Sequence, residues 1–348
     1  MPRLKRLLPA LLLIGALICS ATLWFVRELN APIAHAHAEE YVVIPRGSTS
    51  RQIATQLAAL GILRRWWPAY LYMRVIRARP KAGEYRFPSP ITPLEVVRKL
   101  EEGEQRLNRF TVIEGWTRWD IADAMARLPE LKIDPQEALA LMDDTSLIKD
   151  LDPEAQNLEG YLYPDTYSFP PNIKPRDIIA TMVRRFRQVW FERFAERARA
   201  RGQSVHEVVT IASLIETEAK LDGERPLVAS VIYNRLQRNM PLGIDSTVIY
   251  AAKLAGKWRG DGKVRQSDIE RPSPYNTRQA LGLPPGPVAS PGARSIEAAL
   301  NPATTNYLYY VREPTRDDGA HNFYDNEADF LRGVQALREW ERQRRAQP

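Results

Sequence analysis

The sequence predicts a protein of the α+β class with an N-terminal membrane helix, a small first domain and a larger second domain. An uncharged stretch, Leu7 to Val26, stands near the N-terminus. Beyond it, short β-branched segments alternate with segments of helical periodicity over a chain of 348 residues, which is enough for about two domains. The composition, 44% hydrophobic and 26% charged, is typical of globular proteins and excludes a largely disordered chain.

The uncharged stretch is long enough to cross a bilayer, because a helix of that length spans roughly 30 Å. Arg3, Lys5 and Arg6 precede it, and positive flanks remain in the cytoplasm, so we expect the rest of the chain outside the inner face of the membrane. The alternative is a cleaved signal peptide, since the 34–38 segment Ala-His-Ala-His-Ala resembles small-residue cleavage sites. The apolar run exceeds the roughly 7 to 15 residues of a signal-peptide core, which favours a permanent single-pass anchor. Residues 1–30 are therefore assigned to a cytoplasmic tip and anchor, and residues 31–40 to a linker.

The predicted first domain, residues 41–108, begins with the strand-like segment YVVI. A turn at Gly47 and a Ser/Thr cluster follow, and this cluster can cap a helix that should end at Gly61. The segment AGEYRF predicts a second strand. Thr92-Pro-Leu-Glu95 is a capping box with Pro at the first helical position, and the helix that it begins should end at Gly103.

The first strand, turn and helix have a counterpart further along the chain. Gly47 aligns with Gly115 and Thr49 with Thr117, so two units of one pattern are predicted. Chance similarity between two amphipathic helices is the alternative. The pattern of the first domain resembles the LysM module, a compact glycan-binding fold.

The predicted second domain, residues 109–348, contains the aromatic segment NLEGYLYPDTYSF. Its aromatic residues alternate as they would on one strand, interrupted by Pro164 and Asp165. Aromatic rings beside a carboxylate suit stacking on sugars, but aromatic residues at strand spacing also build cores, and the sequence leaves both interpretations open. The residues concerned are Tyr161, Tyr163, Tyr167 and Phe169.

Two glutamates one residue apart stand at the end of a predicted helix. Ser204 and Glu207 form a capping box, so this helix should run to about Lys220. At 100° per residue, Glu216 lies roughly 60° to one side of the apolar stripe and Glu218 roughly 100° to the other. The spacing separates the two carboxylates, so they cannot easily serve one substrate atom together. Glutamates at the margins of an apolar stripe are also typical of solvated or salt-bridged acids, if spacing is the only evidence.

The segments after this helix predict the remainder of the second domain. A second helix is expected near ERPLVASVIYNRLQRN, and Asp245 stands where an N-cap would be. The segment 271–292 is dense in Pro and Gly, and a long irregular segment of this kind is more often a functional loop than a spacer. Two strands, YLYYV and AHNFY, should follow with a turn between them.

Seven short motifs in this half occur in the order typical of the YceG-like family, the endolytic murein transglycosylases of bacteria. The motifs are ASLIETEA, VASVIYNRL, DSTVIY, SPYNT, GLPPGP, SPG and HNF, and EGYLYPDTY resembles the upstream motif of that family. The resemblance implies a single-pass inner-membrane protein with its catalytic domain outside the cytoplasm. It also implies that Glu218, the second glutamate of Glu-x-Glu, is the catalytic residue and that Glu216 has a supporting role. Further substrate-binding or supporting positions carried over with the motifs are Tyr161, Asp165, Asn234, Asp245, Tyr275, Asn276 and His321.

The implied reaction is the cleavage of the bond between N-acetylmuramic acid and N-acetylglucosamine within peptidoglycan strands. One acid protonates the leaving oxygen, and the sugar's own C6 hydroxyl attacks the anomeric carbon and leaves a 1,6-anhydro end. Because the nucleophile belongs to the substrate, one carboxyl group is enough. The implied role is the termination of nascent strands, with peptidoglycan, the inner membrane and peptidoglycan synthases (penicillin-binding proteins) as partners.

Composition limits the other functions. The net charge of +7 suits an anionic partner, but we expect no nucleic acid as the partner. The single cysteine, Cys19, excludes a disulfide framework, and we expect no metal or cofactor because the chain lacks a His-Glu-x-x-His helix. Two alternatives stay open: a hydrolase in which Asp245 helps Glu218 to activate water, and a non-catalytic wall-binding scaffold.

Two positions depart from the pattern of the family. Many relatives have Gln where this chain has Gly243, and relatives often place a histidine near the position of Asp329. These departures concern details of substrate binding.

Overall fold

The computed structural model describes residues 2–103, 107–170 and 173–346, and side chains from residue 12 to residue 344 within those ranges. The charged side chains of Arg3, Lys5 and Arg6, on which the predicted orientation of the anchor rests, therefore lie outside the described side chains. The chain divides into two compact units, Met1–Asn108 and Arg109–Pro348, here called the N-terminal unit and the C-terminal unit.

The N-terminal unit consists of four helices and two strands in its described part. In chain order they are α1 (Pro2–Asn30), β1 (Tyr41–Ile44), α2 (Ser50–Ala59), α3 (Trp66–Val75), β2 (Gly83–Arg86) and α4 (Pro93–Glu102). Strands β1 and β2 pair antiparallel, with Tyr41 opposite Arg86.

Local sequence signals explain most boundaries of this unit. The Thr49 side chain accepts a hydrogen bond from the Gln52 backbone N–H, and the Thr49 backbone N–H donates to the Gln52 side chain, which gives α2 a complete capping box. Gly61 follows the helix with φ of +71°. Thr92 and Glu95 form the predicted capping box of α4, and Gly103 ends that helix in the left-handed conformation. On β1, Val42 and Ile44 point into the core, as the alternation of a half-buried strand requires.

Helix α3 is the element of the N-terminal unit that the sequence analysis did not identify. Its sequence, WWPAYLYMRV, is apolar on nearly all sides, so it carries no clear helical stripe. Ala69 and Met73 are buried in the core of the unit.

The C-terminal unit begins within strand β3 and is mainly helical. Its elements are β3 (Asn108–Thr111), α5 (Arg118–Ala126), α6 (Pro135–Met142), β4 (Thr166–Phe169), α7 (Pro175–Arg193), α8 (Ala195–Ala200), α9 (Val205–Glu218), α10 (Arg225–Gln237), α11 (Asp245–Leu254), α12 (Gln266–Ile269), α13 (Ala293–Leu300), β5 (Tyr309–Arg312), β6 (His321–Tyr324) and α14 (Glu327–Ala346). Strand β3 pairs with β4, and β5 pairs antiparallel with β6 so that Tyr310 lies opposite Phe323.

Helix α9 is the central element of this unit. It packs against α8, α10, α11 and α13, and every residue from Val208 to Ile215 is buried. The burial therefore extends well beyond the single apolar stripe that periodicity predicts, because neighbouring helices cover the other faces as well. The Pro- and Gly-rich segment between α12 and α13 is irregular, as predicted, and the Val288 backbone N–H donates to Ser213 Oγ at 3.0 Å, which ties this loop to α9.

The strand predicted across the aromatic segment is shorter than the alternation suggests. Only Thr166–Phe169 form β4, and Gly160, with φ of +82°, makes a turn before it. A Cβ at Gly160 would lie 2.6 Å from Pro287 and 2.8 Å from Val209, so this turn also needs glycine for close packing.

The two aligned strand-turn-helix segments share their local geometry. Gly47 and Gly115 both have positive φ, and Thr49 and Thr117 both form capping boxes. Their strands have different partners, because β1 pairs with β2 whereas β3 pairs with β4. The second copy accordingly contributes Phe110 and Ile121 to the core of the C-terminal unit.

Candidate active site

Helix α9 places Glu218 at its C-terminal end. The helix begins after Ser204, whose side chain accepts the Glu207 backbone N–H at 3.1 Å, and it ends at Glu218 with Ala219 as the C-cap. The boundaries agree with the predicted helix to within two residues. A residue at the end of a buried helix has a rigid backbone but a side chain that is free to leave the core, which suits a catalytic group.

Glu218 is partly buried, and its carboxylate meets a tyrosine hydroxyl. Its Oε2 accepts a hydrogen bond of 2.7 Å from Tyr310. Desolvation raises the pKa of Glu218, and this effect outweighs the opposing influence of the Tyr310 hydrogen bond and of His321 and Arg278. The negative charge of Asp245 raises the pKa further. A carboxyl group with a raised pKa keeps its proton closer to neutral pH, as a general acid requires.

The β5–β6 hairpin carries the partner of Glu218. Tyr310 lies on β5, and its ring meets the edge of the His321 ring on β6 with centroids 5.4 Å apart. The Glu224 carboxylate makes two contacts with His321. It accepts a hydrogen bond from the His321 backbone N–H at 2.7 Å, and it lies 2.8 Å from Nδ1 of the ring. Because a carboxylate only accepts hydrogen bonds, Nδ1 carries the hydrogen in this pair. His321 thus packs against Tyr310, and Glu224 fixes its ring.

Asp245 lies at the start of α11, where it pairs with an arginine. Its Oδ1 accepts hydrogen bonds from Arg278 Nε at 2.9 Å and Nη2 at 2.6 Å. The predicted N-cap role is wrong by one position: Ile244 is the N-cap residue, Asp245 is the first helical residue, and its carboxylate turns to the guanidinium instead. These two charge-assisted hydrogen bonds direct the carboxylate towards Arg278.

Glu216 points to a different set of partners. Its side chain is only 5% exposed, and it accepts hydrogen bonds from Arg225 at 3.0 Å and from the Gly292 backbone N–H at 2.8 Å. Arg225 also donates to Asp222 at 2.7 Å and to Ser295 at 3.0 Å. Glu216 is therefore a salt-bridged acid that ties α9 to α10 and to the start of α13.

Comparison with known proteins identifies the family. The sequence pattern of the YceG-like family matches residues 42–336. The chain belongs to the YceG-like family. The endolytic murein transglycosylase of Bacillus subtilis is 35% identical over 285 residues, covering 77% of this chain and 77% of that protein. The endolytic murein transglycosylase of Streptococcus pneumoniae strain D39 is 28% identical over an alignment of 337 residues that covers 89% of this chain and 60% of that longer protein.

A solved structure agrees with this membership. A crystal structure of a yceG-like protein from Listeria monocytogenes is 33% identical to this chain and matches it with a TM-score of 0.58. The match covers 84% of this chain and 98% of that one. The family match, residues 42–336, includes most of each unit and nearly all described elements after α1.

Two residues of the upstream YceG-like motif lie away from Glu218. Tyr161 is fully buried, donates its hydroxyl to Asp152 and packs edge-on against Phe186. A ring in the core presents no face to a sugar, so of the two predicted roles, substrate binding or support, only the supporting role remains as a prediction for Tyr161. Asp165 pairs with Arg185 at 2.9 Å, and its carbonyl accepts the Val112 N–H where β3 and β4 meet. Sugar stacking is likewise excluded for Tyr163, Tyr167 and Phe169, which are buried.

Three further motif residues build the framework of the site. Asn234 donates to the carbonyls of Thr305 and Tyr307, both at 2.9 Å, and so fixes the segment that leads into β5 and Tyr310. Asn276 is fully buried and donates to two backbone carbonyls in the loop before it. Tyr275 packs against Tyr250 with ring centroids 4.8 Å apart, and desolvation raises its pKa to about 12.

The two departures from the family pattern have local consequences. Gly243 has φ of +66° and donates its N–H to the Thr277 carbonyl at 2.9 Å. A longer residue there would be strained, and its Cβ would lie 3.3 Å from Arg235 Nη1. Asp329 lies in the first turn of α14, where its N–H donates to Asn326 and its carboxylate pairs with Arg332.

Two residues with notable surroundings, Tyr310 and Glu159, were not predicted from the sequence. Tyr310 lay in a predicted strand, but alternation could not tell whether it or Tyr309 faces Glu218. Glu159, within the EGYLYPDTY motif, is 1% exposed and accepts the Arg118 backbone N–H at the start of α5. Burial raises the pKa of Glu159 to about 7. Among the residues that the structure describes, no three His, Cys, Asp or Glu side chains are grouped as metal ligands.

Proposed function

We propose that this chain is an endolytic lytic transglycosylase that cleaves peptidoglycan strands with Glu218 as its single general acid and base. The observation that carries the proposal is the partly buried Glu218 carboxylate, whose pKa is raised and which Tyr310 holds at 2.7 Å. The names of its relatives at 35% and 28% identity support the substrate class.

The reaction requires two proton transfers at Glu218. In the first, the protonated carboxyl gives its proton to the glycosidic oxygen while the bond from that oxygen to C1 of N-acetylmuramic acid breaks. In the second, the C6 hydroxyl of the same sugar attacks C1, and its proton passes to the Glu218 carboxylate. The 1,6-anhydro end forms, no water is consumed, and Glu218 is protonated again for the next cycle.

Tyr310 is the positioning residue in this mechanism. Desolvation and the large rise of its own pKa keep it protonated, so it donates to Glu218 in both states of the carboxyl group. The donation to Oε2 leaves Oε1 to carry the proton that is transferred. When the carboxylate forms, the same hydrogen bond stabilises its charge and replaces the water that burial has excluded.

The pairing of Asp245 argues against a two-carboxylate hydrolase. A hydrolase needs a second carboxylate as nucleophile or as base for water. Asp245 Oδ1 accepts hydrogen bonds from Nε and Nη2 of Arg278, at 2.9 and 2.6 Å, so this oxygen is already occupied by the guanidinium. Glu216 is likewise engaged by Arg225 and the Gly292 backbone.

The other parts of the chain are proposed to deliver this activity to the cell wall. Helix α1 contains one apolar span, Leu12–Asn30, that is long enough to cross a membrane, with a mean hydropathy of 1.7. We assign residues 1–30 to a cytoplasmic tip and anchor, residues 31–40 to a linker, residues 41–108 to a LysM-like glycan-binding domain and residues 109–348 to the catalytic domain. The enzyme would then end growing strands outside the cytoplasm, beside the peptidoglycan synthases.

Product analysis with purified peptidoglycan strands tests the function. The wild type should release fragments with 1,6-anhydro ends, which are lighter by one water than the products of hydrolysis. Glu218→Gln keeps the shape of the side chain but loses the transferable proton, so the rate should fall by about 10² to 10⁴. Glu207→Gln, at the other end of the same helix, is the matched control and should stay active.

Glu216→Gln tests which of the two glutamates is the acid. It should cost less activity than Glu218→Gln, because the amide can still accept the Gly292 N–H. An active Glu218→Gln and an inactive, folded Glu216→Gln would refute the assignment of the acid. Products heavier by one water would refute the lytic mechanism, and intact strands with bound protein would support a scaffold.

A further inference from the structure

Helix α3 has a second apolar face that the N-terminal unit leaves exposed. Trp67, Leu71 and Val75 follow one another at intervals of four residues and are 36%, 44% and 72% exposed. This spacing aligns the three side chains along one stripe of the helix. Ala69 and Met73, on other faces, are buried in the core. The helix therefore presents apolar side chains in two directions, and only one of them is covered by the unit itself.

The surroundings of this stripe are strongly basic. No Asp or Glu occurs from Tyr41 to Gly83, whereas this segment contains eight Arg and Lys residues. Five of them are exposed next to or on α3: Arg64, Arg65, Arg74, Arg77 and Arg79. Helix α3 itself carries no Asp or Glu, and at the edge of the rim the Arg79 backbone N–H donates to Glu101 Oε1 at 3.2 Å. An apolar helix face that carries Trp and is rimmed by arginine has the composition of a helix that lies in the interface of an anionic membrane.

Contacts with α1 place this stripe at the depth of the membrane interface. The Trp67 ring stacks on Trp24 with centroids 5.5 Å apart and lies 6.4 Å from Phe25. Both partners are at the end of the uncharged stretch, just before Arg27, and Arg65 lies over the Trp24 ring at 5.9 Å. Trp and Arg at the end of an apolar span mark the headgroup region. A residue stacked on Trp24 shares its depth, so Trp67 lies at that level whenever α1 spans the bilayer.

We propose that α3 lies in the outer headgroup region of the bilayer that α1 crosses, with Trp67, Leu71 and Val75 in contact with acyl chains and the surrounding arginines on anionic headgroups. The inference rests on the proposed anchor role of α1. It makes the N-terminal unit a membrane-surface module with a fixed orientation instead of a domain on a free tether. The outward face of β1, which carries Val43, lies on the side of the strand opposite its core-facing residues.

Fluorescence quenching in the full chain tests this contact. The protein has one cysteine, Cys19, inside the span, so Val75→Cys in a Cys19→Ser background places a single environment-sensitive label on the stripe. The chain is reconstituted in vesicles of phosphatidylglycerol and phosphatidylcholine that carry a nitroxide near the top of the acyl chain. Val43→Cys, at a position that is 54% exposed on β1, is the matched control. Wild type labelled at Cys19 reports whether the anchor is inserted.

The label at position 75 should show blue-shifted emission and be quenched about twofold or more by the nitroxide lipid, while the label at position 43 stays water-like. Arg74→Glu combined with Arg77→Glu should weaken the quenching in anionic vesicles. For each variant, circular dichroism and urea unfolding that match those of the wild type show that the N-terminal unit is folded.

Three results would overturn the proposal. Equal, weak quenching at positions 75 and 43, with Cys19 quenched, would mean that α3 does not touch the membrane although the anchor does. Blue-shifted emission at position 75 without lipid quenching would mean that protein, such as a second copy of the chain, covers the stripe. An unquenched label at Cys19 would refute the anchor and this inference together, and it would leave the assignment of Glu218 untouched.

Discussion

The Tyr310 hydroxyl donates to Glu218 Oε2 at 2.7 Å and joins two residues that are 92 positions apart in the chain. The contact links the end of α9 to the β5–β6 hairpin. It also opposes the effect of burial, since the hydrogen bond lowers a pKa that desolvation raises. In the proposed mechanism, this hydrogen bond supports Glu218 both before and after it releases its proton.

Tyr310→Phe should change the pH profile of cleavage as well as its rate. Without the hydroxyl, the carboxylate of Glu218 loses a stabilising donor and its pKa rises. Because protonated Glu218 is the acid, the alkaline limb of kcat/KM should move to higher pH, while the maximum falls about tenfold.

Tyr309→Phe is the control for this prediction. Tyr309 is the neighbouring residue on β5, but its ring stacks on Phe330 instead, with centroids 5.0 Å apart. The pH profile of cleavage by Tyr309→Phe should match that of the wild type. An unshifted alkaline limb in Tyr310→Phe would contradict the positioning role.

Glu216→Ala should destabilise the fold. The change leaves Arg225, whose side chain is 8% exposed, without its buried acidic partner, although Asp222 and Ser295 remain. The free energy of unfolding, measured with urea, should fall by about 3 kcal/mol. Asp222→Asn, at a side chain that is 55% exposed, should cost less than about 1 kcal/mol. An equal decrease in the free energy of unfolding in both variants would argue against a role of the buried Glu216–Arg225 pair in fixing α9.

Glu159→Gln should alter how stability depends on pH. The folded pKa of Glu159, about 7, lies above the unfolded value of about 4.3. The folded state therefore holds the proton more tightly, and this contribution to stability is complete below pH ~4.3 and lost as the pH rises through 7.

The amide cannot ionise, so its contribution to stability does not change with pH. The free energy of unfolding of Glu159→Gln should therefore increase relative to that of the wild type as the pH rises, by about 3 kcal/mol in total near pH 8. Urea unfolding at several values from pH 5 to pH 8 measures this difference. Parallel curves for the two proteins would show that the carboxyl group does not titrate in the folded state.

Removal of residues 1–108 should separate binding from cleavage. A chain that begins at Arg109 retains Glu218, Tyr310 and the core of the C-terminal unit. It should still cut strands but bind them more weakly than a chain that begins at Glu40. Pull-down on insoluble peptidoglycan measures the difference, and equal binding by the two folded proteins would refute the glycan-binding role of residues 41–108.

A reporter fused after Pro348 should be active outside the cytoplasm, with the protein in the membrane fraction. The reason is the Arg3, Lys5 and Arg6 flank before the apolar span. Alkaline phosphatase activity and fractionation measure the two properties. A soluble mature protein that begins near Glu39 would instead support cleavage of a signal peptide.

Features that depend on neighbouring residues in the chain were predicted well. The capping box at Thr92, the capping of α2 by the Ser/Thr cluster and the end of α4 at Gly103 follow from hydrogen bonds within one helical turn. The motifs around α9 identified the family, which the comparison confirmed. Helix α3 was not predicted, because a helix that is apolar on most sides shows no clear helical periodicity in the sequence.

Tertiary structure decided what each side chain does. Tyr161 and its aromatic neighbours fit a strand pattern in the sequence, yet the turn at Gly160 carries them into the core. The sequence by itself determined the helix that ends in Glu-x-Glu and the separation of its two carboxylates, because these are properties of one continuous segment. Only the fold could bring Arg225 to Glu216 and Tyr310 to Glu218, since burial, pairing and pKa depend on residues that are distant in sequence and meet only when the core has formed.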